Sequence, residues 1–234
     1  MTAEEFNILT SPSIREAIEQ RIGSNPIDIA LDKRLEHASL IATQVKRLQR
    51  ARAKLPSYYA VRATLPPRAY EQSSSEQCAA NKRLTGASVL DLTCGLGVDT
   101  LALSRKFARV VSLERDPILA EVTRHNLRLL GADNVEVICS SAEEYLAQTT
   151  EHFDSIFADP DRRSERGEKM VLLEDCSPNM VALYPRLREV AENICIKCSP
   201  LFDTAEALRK FECCSVETVS LGGECKEVNI YIGG

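Results

Sequence analysis

The chain has 234 residues, 44% of them hydrophobic, which is enough for a globular core. No apolar run approaches the roughly 20 residues of a membrane span, and nothing resembles a signal peptide, so we expect a cytoplasmic protein. The net charge of −5 is unevenly placed: residues 33–83 carry eleven Lys/Arg against three Glu, a local +8 that leaves −13 elsewhere. A basic segment of this kind favours a polyanionic partner, although a solvated helix face can carry the same charges.

The first 83 residues are predicted to form a helical, basic N-terminal region. Apolar residues at helical spacing predict helices over residues 13–22 and 35–55, and the basic side chains crowd the later turns of the second helix. Ser73 and Glu76 match a capping box, which predicts a further helix from there to about Leu84.

From residue 84 to 234 short apolar strands alternate with helices, which predicts a Rossmann-like α/β domain. The predicted strands are residues 88–92, 110–113, 135–139, 155–158, 194–197, 216–220 and 228–232. The last two follow each other closely across Gly222 and Gly223. We therefore predict a seven-stranded, mostly parallel sheet with an antiparallel last strand.

Nine cysteines are scattered through apolar, strand-like segments, and this placement favours reduced, mostly buried thiols. The spacing of Cys195 and Cys198, with Cys213 and Cys214 downstream, invites a zinc interpretation. Residues three apart on a strand point to opposite faces, however, so they cannot share a metal without an intervening turn. We predict no metal site.

The stretch VLDLTCGLGVDT, residues 89–100, predicts a strand that ends at an acidic residue, then a glycine turn and the start of a helix. Gly95 and Gly97 allow backbone amides to approach a ligand at the carboxyl end of the strand. The second strand ends in Glu114, seventeen residues after Gly97, where a carboxylate can accept both hydrogen bonds of a ribose diol. Together these features indicate a nucleoside cofactor.

The identity of that cofactor depends on the residues around the turn. A dinucleotide fingerprint requires a third glycine where this chain has Thr100, and Asp91 and Asp99 would repel a pyrophosphate. The same carboxylates favour the cationic sulfonium and ammonium of S-adenosyl-L-methionine, which we prefer over NAD or FAD; Asp99 can equally serve as a helix-dipole partner. The predicted cofactor-binding residues are Asp91, Cys94, Gly95, Gly97, Asp99, Glu114, Ser141 and Ala142.

Several longer stretches carry a family resemblance. They are KLP from Lys54, EQSSSEQCAANK from Glu71, DLTCGLGVDT from Asp91, HNLRLLG from His125, DPDRR from Asp159, DCSPNM from Asp175, IKCSP from Ile196 and GECKE from Gly223. With them the chain resembles class I S-adenosylmethionine-dependent methyltransferases, and more closely a bacterial family with a THUMP-like C-terminal region. That family's chains continue beyond GECKE, so the resemblance implies a fragment or a short member that lacks the THUMP-like region. It also implies that Ser141 stands where related enzymes often present Asp or Asn to the adenine.

The stretch FADPDRRSERGEK, residues 157–169, lies at the end of the fourth predicted strand, where class I enzymes place the groups that meet the methyl acceptor. Enzymes that methylate an exocyclic base amine usually show Asp or Asn, two prolines and an aromatic residue there. This chain keeps Asp159-Pro160 but continues with Asp161-Arg162, which weakens that interpretation. The guanidinium groups of Arg162, Arg163 and Arg166 are suited to bind phosphates and can stack on bases. The alternative is that these arginines form a salt-bridge cluster that positions the loop.

We predict Asp159, Arg162 and Arg163 as catalytic residues, with Asp159 orienting or deprotonating the acceptor, and Lys197 and Arg166 as substrate-binding residues on a positive rim. His125 and His152 are weaker candidates.

The predicted function is methylation of RNA. The alternatives are a methyltransferase for a protein or small molecule, and a noncatalytic adaptor that binds the cofactor. IKCSP also resembles the nucleophile stretch of 5-methyluridine RNA methyltransferases, in which Cys198 would attack the uracil ring; packing is the more usual role of such a cysteine.

Overall fold

The computed structural model describes residues 1–161 and 173–233. Seven helices precede the first strand. They are α1 (Ala3–Thr10), α2 (Pro12–Arg21), α3 (Pro26–Leu31), α4 (Ala38–Lys54), α5 (Pro56–Ala60), α6 (Pro67–Gln72) and α7 (Glu76–Ala79). A proline opens α2, α3, α5 and α6, where its missing N–H costs no helical hydrogen bond. The helices predicted over residues 13–22 and 35–55 correspond to α2 and α4, within a few residues at each end.

The helix predicted from Ser73 to about Leu84 is shorter and begins later. Ser75 caps α7 by accepting a hydrogen bond of 3.2 Å from the Cys78 amide, and the helix ends at Ala79. The carboxylate of Glu76 accepts instead from the amide and hydroxyl of Ser57, at 2.8 and 2.7 Å. The local pattern missed this contact because Ser57 lies 19 positions earlier in the chain.

The remaining elements form a twisted sheet with helices on both faces. The strands are β1 (Ser88–Asp91), β2 (Arg109–Glu114), β3 (Val135–Cys139), β4 (Phe153–Ala158), β5 (Ala191–Cys198), β6 (Cys214–Leu221) and β7 (Glu224–Ile232). The helices between them are α8 (Val98–Ser104), α9 (Pro117–Leu129), α10 (Ala142–Gln148), α11 (Met180–Val190) and α12 (Thr204–Lys210), and residues 173–175 form a 3₁₀ turn.

The strand order is β3-β2-β1-β4-β5-β7-β6. β1 to β5 pair in parallel, whereas β7 runs antiparallel to both of its neighbours. The predicted seven-stranded α/β sheet is therefore confirmed. Leu221 pairs with Glu224 across a two-residue turn in which Gly222 and Gly223 have φ of +62° and +83°. Positive φ at both central positions matches the tight turn that suits the twist of a hairpin.

Alternation along the strands divides the core between two faces of the sheet. Leu90 and Ile156 point to the face covered by α10, α11 and α12. Their neighbours Val89 and Phe157 point to the opposite face, with Leu103 of α8. Successive side chains of a strand point to opposite faces, and because helices cover both faces, both sets are buried in β1 and β4.

The N-terminal helices pack onto the α8–α9 layer rather than standing apart from it. Ile41, Val45 and Leu48 of α4 are fully buried and belong to one apolar cluster with Leu101 of α8 and Leu127 of α9. This packing brings α6 and the segment after it to the carboxyl ends of the parallel strands. The division into parts at residues 83 and 84 stays a prediction.

Among the described helices none combines the length and the apolar composition needed to cross a bilayer. All nine cysteines fall within the described residues, none of them forms a disulfide, and five are buried.

Candidate functional site

A cavity of about 880 Å³ opens at the carboxyl ends of the parallel strands. Because β2 and β3 lie on one side of β1, and β4 and β5 on the other, the cavity has two ends. We call the first the glycine-turn end; it is lined by Cys94, Gly95, Glu114, Ser141 and Ala142. We call the second the Asp159 end; it is lined by residues 66–69, 72–74, 159–161, 177–178 and 199–201. The volume falls in the range of about 300–1,000 Å³ that is typical of small-molecule sites.

Backbone amides orient the carboxylate at the glycine-turn end. The amide of Gly95 donates to Oε2 of Glu114 and the amide of Asp116 donates to Oε1, both at 2.9 Å. Burial raises the pKa of Glu114 above its ordinary value, and these two hydrogen bonds oppose that shift. Glu114 is thus fixed at the cavity wall by the chain itself.

The two glycines of the turn serve different purposes. Both have positive φ, +54° for Gly95 and +81° for Gly97. A Cβ at Gly97 would lie 2.7 Å from Cγ2 of Thr123 on α9, whereas a Cβ at Gly95 would meet no neighbour closer than 4.0 Å. Gly97 does not line the cavity, but Gly95 does. Gly97 is therefore needed because a side chain there would collide with α9. Gly95 instead leaves open space beside the cavity.

Asp91 lies behind the cavity wall. Its fully buried carboxylate accepts hydrogen bonds from the Thr100 hydroxyl at 2.6 Å, the Ser112 hydroxyl at 2.7 Å and the Thr93 amide at 3.0 Å. Burial raises its pKa to about 6. The side chain was predicted to meet the cofactor, yet its contacts are with the protein, and through them it holds β1, β2 and α8 together. Thr100, in the place of a dinucleotide glycine, is one of its donors.

Six of the eight residues predicted to bind the cofactor line the cavity, namely Cys94, Gly95, Asp99, Glu114, Ser141 and Ala142. Ser141 caps α10, where its hydroxyl accepts from the Glu144 amide at 3.1 Å. The charged residues among the described lining are six acids and two arginines, namely Asp99, Glu114, Asp116, Glu143, Asp159, Asp161, Arg68 and Arg115. This acidic wall fits a nucleoside that carries cationic groups and disfavours one that carries a pyrophosphate.

A buried lysine lies behind the Asp159 end of the cavity. Nζ of Lys197 donates to Oδ2 of Asp159 and, at 2.6 Å, to the Ser74 hydroxyl, and it lies 3.3 Å from Oδ2 of Asp99. The Ser74 hydroxyl donates to the same Asp99 oxygen at 3.1 Å. Burial alone would lower the pKa of Lys197, but the charges of Asp159 and Asp99 raise it above its ordinary value. The lysine is therefore a permanent cation.

A second buried lysine extends this arrangement. Nζ of Lys82 lies 2.5 Å from Oε1 of Glu227 on β7 and 3.4 Å from Oδ1 of Asp99. Nδ2 of Asn229 also donates to the Glu227 carboxylate, at 3.1 Å. Burial raises the pKa of Asp99, but Lys197 and Lys82 together hold it below its ordinary value. We refer to Lys82, Asp99, Asp159, Lys197 and Glu227 as the ion cluster; it holds two cations and three anions.

The loop that carries Asp159 is tied to the sheet by its backbone. The Asp159 amide donates to the Thr93 hydroxyl at 2.6 Å, directly after β1. Asp161 and Ser177 exchange two backbone hydrogen bonds, of 2.8 and 3.0 Å. At the rim, a guanidinium nitrogen of Arg68 on α6 lies 3.2 Å from the Asp161 carboxylate.

The structure places several predicted residues away from their expected surroundings. Lys197, predicted on a positive rim, is buried inside the ion cluster and does not line the cavity. Arg162, Arg163 and Arg166 lie outside the described residues. Sequence reasoning did not single out Ser74, Lys82 and Glu227, which hold the cluster together.

The remaining nucleophile and metal candidates lie away from the cavity. Cys198 is 2% exposed and belongs to the apolar cluster beneath α11 and α12. His125 packs edge-on against Phe6, with ring centroids 5.6 Å apart. Neither residue lines the cavity, and no group of three potential ligands in residues 1–161 and 173–233 is placed to hold a metal ion.

Comparison with known proteins agrees with this geometry. Over its whole length the chain superposes on a crystal structure of a protein from Porphyromonas gingivalis W83, named as a putative methyltransferase, with a TM-score of 0.83 and 30% identity over 59% of that chain. The fold is that of the class I methyltransferases. Residues 73–177 match the family described as Conserved hypothetical protein 95.

The curated relatives are similar over part of their length. A protein of Mycobacterium tuberculosis named as an uncharacterized S-adenosylmethionine-dependent methyltransferase is 30% identical over 153 residues, which is 65% of this chain and 40% of the relative. The 23S rRNA (uracil(1939)-C(5))-methyltransferase RlmD of Edwardsiella ictaluri is 35% identical over 106 residues, 40% of this chain and 24% of the relative. The chain thus spans less than half the length of these curated relatives.

Proposed function

We propose that the chain is an S-adenosylmethionine-dependent methyltransferase that acts on RNA. The observation that carries the proposal is one acidic cavity at the carboxyl ends of the parallel strands. Glu114 is fixed at one of its ends and Asp159 at the other. The names of similar proteins support the reaction class, and one of the two curated relatives described above, RlmD, is named as an RNA methyltransferase. We also propose that, among the methyltransferases, this chain is more closely related to the bacterial family that has a THUMP-like C-terminal region.

Under this proposal the glycine-turn end holds the cofactor. Glu114 would accept hydrogen bonds from the ribose diol, and the open space beside Gly95 would accommodate the close approach of the ligand. Asp99, in the first turn of α8, would attract the cationic part of the molecule. When bound, S-adenosylmethionine supplies an electrophilic methyl group.

At the other end Asp159 would align the acceptor. Transfer of a methyl group is an in-line displacement, so alignment of the acceptor lone pair matters more than extensive acid-base chemistry. The Asp159 carboxylate can accept a hydrogen bond from an N–H or O–H acceptor and take its proton. Arg162, Arg163 and Arg166 are proposed to contact phosphates, and residues 33–83 add a net positive charge.

Names of relatives also favour a second candidate, methylation of C5 of uracil. That chemistry would require a nucleophilic cysteine at the acceptor. Of the nine cysteines, all of them described, Cys94 alone lines the cavity, at the glycine-turn end. Burial raises its pKa above the ordinary range, which disfavours the thiolate. The buried position of Cys198 supports an acceptor bearing N–H or O–H instead.

Calorimetric titration with S-adenosylhomocysteine tests the cofactor site. Replacing Glu114 with alanine removes a carboxylate that would bind the diol, so we expect the dissociation constant to rise about 10- to 100-fold, as for loss of a hydrogen bond to a charged group. Glu121→Ala, on the exposed side of α9, is the matched control and should leave binding unchanged. Normal binding by Glu114→Ala, or no binding by the wild type, would contradict the assignment.

Transfer of a labelled methyl group to total RNA tests the substrate. Binding through several phosphates should weaken steeply with added salt, whereas a protein or small-molecule substrate would show little salt dependence. A covalent adduct with 5-fluorouridine RNA would favour the uracil-C5 candidate. Binding of S-adenosylmethionine without methyl transfer to any substrate would favour a noncatalytic adaptor.

A further inference from the structure

Lys197 is buried and does not line the cavity, which disfavours a direct contact with the substrate. It is the penultimate residue of β5, its side chain is 7% exposed, and its ammonium is engaged by Asp159, Asp99 and Ser74. A charge in such a place is stable only when it is paired and hydrogen-bonded. Any effect of Lys197 on a bound molecule must therefore pass through the groups it holds.

The three groups that Lys197 holds all line the cavity, and Asp159 is the carboxylate on the loop after β4. Its amide is fixed by Thr93, and Oδ2 of its carboxylate is fixed by Lys197. Among the described residues no hydrogen bond reaches Oδ1. One oxygen is therefore committed to the protein, and the other is available to a ligand.

Lys197 also links the two ends of the cavity. The Asp99 carboxylate, to which its ammonium lies close, belongs to the first turn of α8, directly after the glycine turn. Ser74, which bridges the same two residues, comes from the segment between α6 and α7. One ammonium group and the three residues around it thus link the Asp159 loop to the first turn of α8.

We propose that Lys197 is a positioning residue for methyl transfer: it holds Oδ2 of Asp159 so that Oδ1 faces the acceptor, while Asp99 and Ser74 hold the lysine. This inference rests on the proposed function. The competing explanation is that Lys197 only neutralises buried carboxylates and matters for folding alone.

A double-mutant cycle separates these two explanations. Asp159→Asn should lower kcat about 100- to 1,000-fold, in the range for loss of a positioned acid-base group. Lys197→Met should lower kcat about 100-fold, since a misplacement of about 1 Å has that cost. Because the lysine acts through the aspartate, the combined variant should be within about threefold of Asp159→Asn, and the KM for RNA should hardly change. Losses that multiply, or a KM effect with unchanged kcat, would overturn the proposal.

A matched control replaces a lysine that lies outside the ion cluster. Lys226→Met lies next to Glu227, but its exposed ammonium pairs only with Glu224 among the ion pairs of the described residues, so kcat should stay within about twofold of wild type. If Lys197→Met does not fold, Lys197→Gln, which removes the charge but keeps a polar group beside the carboxylates, takes its place in the cycle. Lys197→Arg, which keeps the charge, should retain more activity than Lys197→Met.

Two readouts do not depend on turnover. Lys197→Met should bind S-adenosylhomocysteine within about threefold of wild type, since Glu114 is untouched. Its crystal structure should show the Asp159 carboxylate turned away from its wild-type direction, and an unmoved carboxylate would overturn the proposal. If the wild type transfers no methyl group, the proposed function fails, and this crystal structure alone decides the placement of Asp159.

Discussion

The two ends of the cavity hold their carboxylates by different means. At the glycine-turn end, Glu114 is oriented by the backbone amides of Gly95 and Asp116. At the Asp159 end, the carboxylate is oriented by a lysine that is itself held by other side chains. The orientation of Glu114 therefore depends on the local conformation of the backbone, whereas the orientation of Asp159 depends on every charged partner in the ion cluster. Backbone strain should disturb Glu114, and removal of a single charge should disturb Asp159.

The largest expected effect concerns the ion cluster. Lys82→Met leaves the buried carboxylate of Glu227 without its cation and leaves Asp99 with Lys197 alone, so we expect a loss of about 3–5 kcal/mol in the free energy of unfolding, as for a broken buried pair. Urea denaturation of the wild type and of the variant measures this loss in the free energy of unfolding. Adding Glu227→Gln to Lys82→Met should recover part of the loss, because the unpaired charge of Glu227 disappears. A loss no greater than that of the exposed Lys226→Met would show that the cluster does not hold this end together.

The next effect concerns the glycine turn. Gly97→Ala combines positive φ with a Cβ placed 2.7 Å from Thr123, so we expect a loss of about 2–4 kcal/mol from strain and overpacking. Gly95→Ala has the strain without the collision and should lose about 1–2 kcal/mol. Thermal or urea unfolding of the pair gives the comparison directly. Equal losses would mean that packing against α9 does not distinguish the two glycines.

The smallest effect concerns the pH dependence of Asp91. Burial raises its pKa from the ordinary 3.8 to about 6, so the folded state carries an unfavourable charge above pH 6 that is relieved as the pH falls toward 4. The stability of the wild type relative to Asp91→Asn should therefore decrease by up to about 3 kcal/mol between pH 4 and pH 7. Urea unfolding across this range tests it, and a constant difference between the two proteins would contradict the raised pKa.

Local patterns were sufficient to predict the sheet and most of the glycine-turn end. Strand alternation and helical spacing act over a few residues, so the seven strands could be predicted, and Cys94 and Gly95 lie within one continuous stretch. The helix predicted from Ser73 was wrong because Glu76 binds Ser57, far from it in the chain. The packing of Gly97 against Thr123 on α9 was likewise invisible to the local pattern.

The ion cluster could not be predicted from local patterns. Lys82 and Glu227 are 145 positions apart, and Lys197 lies 123 positions from Ser74. Charged residues are rarely buried, so the expected place of each lysine was the surface. One signal was nevertheless present. Ser74, Lys82, Asp99, Asp159, Lys197 and Glu227 all fall in the five stretches EQSSSEQCAANK, DLTCGLGVDT, DPDRR, IKCSP and GECKE that carry the family resemblance.

The position of Glu227 on β7 has a consequence for how the protein matures on the ribosome. The residues that contact the glycine turn, Glu114 and Thr123, are synthesised well before β7. Strand β7 then inserts beside β5 and brings the Glu227 carboxylate to Lys82. Chains emerge and fold from the amino terminus onward. In a nascent chain the pairing of Lys82 with Glu227 is therefore completed only after the glycine turn and the residues around Lys197 have been made.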